Sequence, residues 1–475
     1  MSSNLNKSLL SGTLWTLLGQ FGYLGVTLIA NIILARILSP EEFGQLGVVL
    51  FFIVIARVLT ESGLGAALVR NNNATNTDYS TIFIFNLIIS VVFCILLIAT
   101  SGAISDFYDD QALQRLLIVS SFILIINAFQ IIHGTRLVSN MRFKQKSKYE
   151  FFSILISSAI GIILAFNEFG IWSLVFMHLS NALIATLLMW LFEGGIGTLA
   201  FNIDSFKYHY KFGVNISLAS LVIAVFDNIY QIVLAKYFSI SQTGLYYQAK
   251  KLQNVPIGLQ NKVTQTVFYS ALSKLQEDKN KFKYMYHNMI KIISIGSGLI
   301  ALIILLFAYD IILIVLGEKW VSATFFLQIL SIVGFFQIQE NFNRMLFKIF
   351  NDTKFVLYLE LIKKIIQTIT IVVGLLNHNL NILMYGFLIT SILSYSINYY
   401  VASKNYSFIG KRELLINLKV FLISLLISIA YFLFSDFILL YRIIFVLLLY
   451  TVSIVLFRLL VFEDLIKFFR LLGWK

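Results

Sequence analysis

Charge is scarce in this chain. Asp, Glu, Lys and Arg supply only 12% of its 475 residues, where a soluble domain carries about 25%. With 59% hydrophobic residues and a mean hydropathy of +0.86, a soluble fold is excluded, because surface grows with size and that much apolar area cannot be hidden. Cysteine is nearly absent: Cys94 stands alone inside an apolar run, so no disulfide framework is available. The five histidines, His133, His178, His209, His287 and His378, are scattered singly, so no Cys/His metal cluster and no cofactor is expected. Only two prolines occur, Pro40 and Pro256. The alternating ten-residue segments of a membrane barrel are missing. No aromatic-interleaved basic module appears, so the net charge of +13 is not a nucleic-acid footprint. No glycine-rich phosphate loop appears either, which excludes ATP hydrolysis by this chain.

What is present is a series of long apolar runs, each close to the roughly 20 residues that span a bilayer as a helix. Fourteen are read: Gly12–Ala35, Phe43–Leu59, Tyr79–Ala103, Leu113–Gly134, Phe151–Phe166, Gly170–Leu191, Gly213–Phe238, Gly244–Ser270, Asn288–Ala308, Ser322–Phe342, Phe355–Leu376, Ile382–Val401, Leu418–Phe434 and Phe437–Phe457. The fold class is therefore an all-α polytopic membrane protein of about fourteen transmembrane helices. The first run is too long for a signal-peptide core and lacks a small-residue cleavage site, so it reads as a permanent span. With both termini cytoplasmic, 25 Lys and Arg fall inside and five outside, as the positive-inside rule requires. The inside loops carry Lys146 and Lys281, and an outside loop carries Asp109. Their positive charge also suits anionic membrane lipid.

Two stretches 200 residues apart match. Ile32-Ile33-Leu34-Ala35-Arg36-Ile37-Leu38-Ser39 ends span 1 and Ile232-Val233-Leu234-Ala235-Lys236-Tyr237-Phe238-Ser239 ends span 7, each followed by a glycine, Gly44 or Gly244. Spans six apart run in the same direction, so this is a parallel repeat of two six-helix lobes, an architecture of alternating-access transporters. The expected division is an N-terminal lobe over 1–200, a C-terminal lobe over 201–410, and an appendage of spans 13 and 14 with a cytoplasmic tail over 411–475.

Ten charges remain at membrane depth: Arg57, Lys250, Lys251, Lys262, Lys363, Lys364, Glu61, Asp227, Glu340 and Glu360. Each would cost at least about 2.5–3.5 kcal/mol facing lipid near the bilayer centre, so most must face one another or a wet cavity. Span 8 is the least apolar. Lys251 and Lys262 lie about three turns apart on it and share a face with Tyr247, Asn254 and Gly258, and Pro256 should kink it. Lys251, Lys262 and Arg57 are the candidate ligand-binding cations of an inter-lobe cavity, with snorkelling of the lysines as the alternative. Span 1 carries Thr16, Gln20, Tyr23, Thr27 and Asn31 along one stripe, and span 7 carries Ser217, Ser220, Asp227 and Gln231. These stripes are either lining for a polar substrate, to which Gln20 and Asn31 would contribute, or hydrogen-bonding glue between helices. Asp227 is a candidate coupling acid for H⁺ or Na⁺, and Glu61, an i,i+4 partner of Arg57, is a second. Glu340 and Arg344 read as a structural or gating ion pair.

Several segments together resemble one family. They are Leu34-Ala35-Arg36-Ile37-Leu38-Ser39-Pro40-Glu41-Glu42-Phe43-Gly44, Glu61-Ser62-Gly63-Leu64-Gly65-Ala66-Ala67-Leu68, Asn140-Met141-Arg142-Phe143-Lys144, Phe226-Asp227 with Gly244-Leu245-Tyr246 and Pro256, Ala271-Leu272-Ser273-Lys274-Leu275-Gln276, and Gly317-Glu318-Lys319-Trp320. Over roughly residues 8–410 the chain resembles the Wzx-type lipid-linked oligosaccharide flippases of the multidrug/oligosaccharidyl-lipid/polysaccharide exporter superfamily. Glu61 stands where aspartate is usual, and Ser270 where proline is common. The resemblance implies a transporter, not an enzyme. It would move an undecaprenyl-diphosphate-linked glycan to the outer leaflet of the bacterial cytoplasmic membrane, for capsule, exopolysaccharide, O-antigen or a teichuronic-type polymer. An ion gradient or a polymerase of the same pathway would drive it. A drug/cation antiporter of the superfamily should have an acidic cavity, whereas six basic and four acidic residues lie at depth here. A membrane-bound polymerase should have a large outer loop, and the outer loops are short.

Overall fold

A computed structural model describes residues 2–61, 63–71, 73–195, 197, 199–432, 437–457 and 459, apart from the side chains of residues 2–18, 20, 266 and 353. The described chain is helical, in two compact units, 1–247 and 248–475. The first contains α1 (Ser2–Ile37), α2 (Pro40–Glu61), α3 (Leu64–Arg70), α4 (Asn76–Tyr108), α5 (Ala112–Ser139), α6 (Phe143–Phe166), α7 (Ile171–Glu193), α8 (Ile203–Tyr237) and the start of α9 (Ile240–Val263). The second contains the rest of α9, α10 (Tyr269–Lys274), α11 (Lys279–Val315), α12 (Thr324–Ile349), α13 (Thr353–Leu376), α14 (Leu380–Asn405), α15 (Lys411–Phe432) and α16 (Leu439–Leu456). Over its described residues each of the fourteen expected spans overlaps a helix, the eighth covering α9, a π-helical turn and α10. Among the described residues eleven helices are long and apolar enough to cross a membrane. The three spans outside that set are α1, whose described apolar stretch is short, and α9 and α13, which carry the membrane-depth lysines.

Several helices begin before their apolar runs do. α6 starts at Phe143, α8 at Ile203, α11 at Lys279 and α15 at Lys411, each several residues ahead of the expected span. Hydropathy marks where the chain enters hydrocarbon, whereas caps mark where the helix starts. Thr75 and Asp78 form a capping box on α4, the Asn202 side chain accepts from the amides of Asp204 and Ser205, and Asp278 accepts from the Lys281 amide.

In the first unit α2 packs against α4, α5, α7 and α8, and α1 packs on α6. α8 packs on α2, α3 and α4. Its Lys236 Nζ meets Asp109 at 3.0 Å, Ser205 donates to Asp78, and Ser217 donates to the Val58 carbonyl at 3.0 Å. Gly63, between α2 and α3, has φ +62°, and a Cβ there would also lie 2.5 Å from the Gly213 oxygen. Both conditions select glycine at this position.

The 200-residue repeat has a reciprocal contact. A Cβ on Gly44 would collide with the Ile240 carbonyl oxygen, and a Cβ on Gly244 would collide with the Pro40 carbonyl oxygen. Each repeat glycine meets the residue that corresponds to the other copy's helix start. Such an i-to-j, j-to-i pattern is that of an isologous two-fold contact.

In the second unit α11 packs on α12 and α15, and α13 and α12 on α14. Tyr450 of α16 donates to the Ile295 carbonyl at 2.7 Å, and Val420 of α15 fills the space beside Gly298. The last two helices are thus built into the core of this unit. The eighth span contains Pro256 and runs into a π-helical turn, Thr264–Phe268, the kind of irregularity found at functional sites.

Candidate functional site

A cavity of about 590 Å³ opens within the first unit, among α1, α2, α5, α6 and α7. Its polar lining includes Tyr23, Arg57, Asn127, Lys146, Glu150 and His178. A neighbouring cavity of about 440 Å³ is lined by Glu61, Thr135, Ser217 and Ser220, and Lys146 and Val138 line both. α2 supplies Arg57 and, one turn on, Glu61. α6 supplies Lys146 and Glu150 because it begins at Phe143 and so carries its charged first turns into the bundle.

Both cations form ion pairs. Arg57 Nε lies 2.6 Å from Glu61 Oε1, and Lys146 Nζ lies 2.7 Å from Glu150 Oε1. The pairs are wet: the side chains are 54% and 39% exposed in the first and 32% and 40% in the second. Asn181 and Gln130 add amides to the same wall. The arrangement offers cations, amides, a phenol and an imidazole to one polar ligand. Among the described residues no group of three His, Cys, Asp or Glu could hold a metal.

The sequence singled out Arg57 and Glu61, and they are together here. Asn31 is buried, and Thr27 donates to the Tyr23 carbonyl one turn back at 2.7 Å, so the Thr27 hydroxyl of the span-1 stripe is satisfied within its own helix. The side chain of Gln20 lies outside the described residues. Asp227 is exposed on α8, and Gln231, a turn further on, is buried close to Gly47. In the second unit Lys251 and Lys262 are half-buried and Asn254 and Gly258 exposed, while Gln253, on another face of α9, is buried and donates to the Leu330 carbonyl. Tyr247, in the first unit, is half-buried with its ring 6.4 Å from Phe43.

The Glu340–Arg344 pair is present at 3.2 Å and is part of a larger network. Arg344 also meets Glu360 at 2.8 Å, Lys363 meets Glu340 at 3.0 Å, and Lys364 meets Glu360 at 3.2 Å. Glu340 is only 2% exposed.

Sequence reasoning missed Lys146 and Glu150, treating both as loop. Their i,i+4 spacing just before an apolar run was the available signal. His178 and Asn127 had none, because only packing brings them to Arg57. Glu413, buried in the first turn of α15 and bonded to Tyr286 and Asn343, was also missed.

The chain is a multi-pass helical membrane protein with a charged cavity among its helices. The chain belongs to the polysaccharide biosynthesis protein family, whose profile matches residues 33–325. It is 24% identical to the lipopolysaccharide biosynthesis protein WzxC of Escherichia coli (strain K12) over 70% of this chain and 68% of that one. It is 22% identical to the teichuronic acid biosynthesis protein TuaB of Bacillus subtilis (strain 168) over 72% and 71%. Its fold is shared with the lipid II flippase MurJ in an inward closed conformation, at a TM-score of 0.75 and 16% identity, covering 95% of this chain and 99% of that one.

Proposed function

We propose that this protein flips an undecaprenyl-diphosphate-linked oligosaccharide from the cytoplasmic to the outer leaflet of the bacterial cytoplasmic membrane by alternating access, with both termini cytoplasmic. The observation that carries the reading is the cavity of about 590 Å³, where Arg57 and Lys146 accompany amides and a tyrosine among apolar helices. A diphosphate is anionic and its sugars are polar, so crossing about 30 Å of hydrocarbon unaided is prohibitive. Arginine grips phosphate as a fork and lysine as a mobile point charge, amides and aromatic rings suit sugars, and the isoprenoid tail stays in lipid. Membership of a polysaccharide biosynthesis family supports the reading, as do relatives named for lipopolysaccharide and teichuronic acid biosynthesis and a shared fold with a lipid II flippase.

Lys251 and Lys262 are further proposed phosphate contacts along α9, with Tyr247 and Asn254 beside them. Asp227 is the proposed coupling acid for H⁺ or Na⁺. Anionic lipid would hold the basic cytoplasmic loops, and the pathway's polymerase would consume the flipped product.

The test is binding of undecaprenyl diphosphate to purified protein, together with restoration of polymer in a strain lacking the gene. Losing one charge-assisted hydrogen bond removes about 1.5–3 kcal/mol, so Arg57→Ala and Lys146→Ala should each weaken binding roughly ten- to hundredfold. Both should reach the membrane and fail to restore polymer. Wild-type export by both would reject this cavity as the site.

A further inference from the structure

The two cations of this cavity are already occupied by the protein's own carboxylates. We infer that Glu61 and Glu150 are resident counter-anions, each holding the place of a substrate phosphate oxygen until the diphosphate exchanges for it. The inference rests on the proposed role of the cavity in binding a diphosphate.

Three observations point to exchange rather than permanent pairing. The first is wetness. All four side chains are between 32% and 54% exposed, and an ion pair that water reaches is worth about 0–1 kcal/mol. The second is order along the helix. Both pairs run basic then acidic, Arg57 to Glu61 and Lys146 to Glu150, the weaker of the two i,i+4 arrangements. The third is position. Arg57 and Glu150 line the larger cavity, Glu61 lines the smaller, and Lys146 lines both. A carboxylate leaving either cation therefore stays beside accessible space, with Ser217, Ser220 and Thr135 near Glu61, and Tyr23, Asn181 and His178 near Glu150.

Exchange has a mechanical use. A site of unpaired cations would bind a diphosphate too tightly to release it on the far side. Internal carboxylates compete for the same cations at an effectively fixed concentration, so they lower affinity and speed release. They also keep both cations from standing unpaired near the membrane interior when no substrate is bound. They should discriminate too: a neutral-headed lipid offers no anion to take the carboxylate's place.

The test uses full-length protein in nanodiscs with undecaprenyl diphosphate as the probe, and inorganic pyrophosphate as competitor. Glu150→Gln and Glu61→Gln keep side-chain size and remove the competing charge. Each should bind the lipid about three- to fivefold tighter, the measure of a half-exposed pair. In flipping assays with the same lipid in proteoliposomes, KM and maximal rate should both fall, because release becomes slower. A merely structural pair would give weaker or unchanged binding and a raised KM, and that result in both variants overturns the inference. Wild-type protein that binds neither undecaprenyl diphosphate nor pyrophosphate would instead overturn the reading of the cavity, and the inference with it. Wild-type binding displaced by pyrophosphate, with both glutamine variants no tighter, would overturn the counter-anion role alone.

Discussion

Replacing Tyr286 by phenylalanine should destabilise the second unit by a predictable amount. Tyr286 on α11 donates to Glu413 Oε2 at 2.6 Å, and Asn343 on α12 donates to the other oxygen at 3.1 Å. Glu413 itself is 0% exposed. Neighbouring bonds extend the network: Asn417 donates to the Tyr395 hydroxyl at 2.6 Å, and Ser294 donates to Asn417 at 2.7 Å. Four helices, α11, α12, α14 and α15, are thereby tied through polar groups. The substitution leaves the ring, and its stack on Phe342 at 5.4 Å, in place, so it creates no large cavity. It removes one hydrogen bond to a buried carboxylate, worth about 1.5–3 kcal/mol. For a domain of 150–250 residues that corresponds to a fall in melting temperature of about 3–12 °C. Far-UV circular dichroism of purified protein in detergent measures it. Glu413→Gln and the double variant complete a thermodynamic cycle, in which contacting residues should couple by about 0.5–3 kcal/mol. A Tyr286→Phe variant that melts with the wild type, or a cycle that is additive, would refute the reasoning.

Other outcomes follow from the charge pattern. Cys94 is buried and bonded to Ser121, so cysteines placed at Lys281 and Asp109 should label separately from it, position 281 only from the cytoplasm and position 109 only from outside. Labelling of position 281 in intact cells by an impermeant reagent would invert the topology. Asp227→Asn should abolish the dependence of transport on an H⁺ or Na⁺ gradient, and normal ion dependence in that variant would remove Asp227 from coupling. Lys262→Ala should fail to restore polymer, with Lys262→Arg keeping part of the activity, since charge matters more than shape at a mobile phosphate. Export at wild-type level by both Lys251→Ala and Lys262→Ala would make these lysines interfacial anchors.

What could be read ahead of the structure followed from one strong signal. Hydrocarbon tolerates few charges, so the fourteen apolar runs, the repeat at Gly44 and Gly244 and the pair Arg57–Glu61 all stood out against an apolar background. Helix starts were less legible because polar turns at the membrane surface have no hydropathy signature. Thr75 with Asp78, Asn202 and Asp278 could have located three of them, since each pairs a capping side chain with the amides two or three residues on. The start of α6 had no such help: Arg142 at its N-cap makes no side-chain cap bond. Lys146 and Glu150 therefore read as loop in the sequence, which hides half of the cavity's charge. Glu413 was missed for the same reason, because it precedes the apolar run of α15. His178 and Asn127 come to Arg57 only through packing, which no periodicity encodes.

The repeat sharpens the contrast between the two ion clusters. Under the proposed parallel repeat, spans six apart are counterparts, which pairs α6 with α13. In α6 the order is Lys146 then Glu150, half-exposed and beside a cavity. In α13 the order is Glu360 then Lys364, the favoured direction along a helix, and the pair is reinforced by Arg344, Lys363 and a nearly enclosed Glu340. Removing one partner from a buried network strands a charge and costs about 3–5 kcal/mol, whereas a wet pair can part for about 1 kcal/mol or less. The α13 cluster should therefore hold its geometry through the proposed transport cycle, while the α6 pair should be able to open and close within it. The α13 charges are the more firmly held, and the α6 pair lines accessible space.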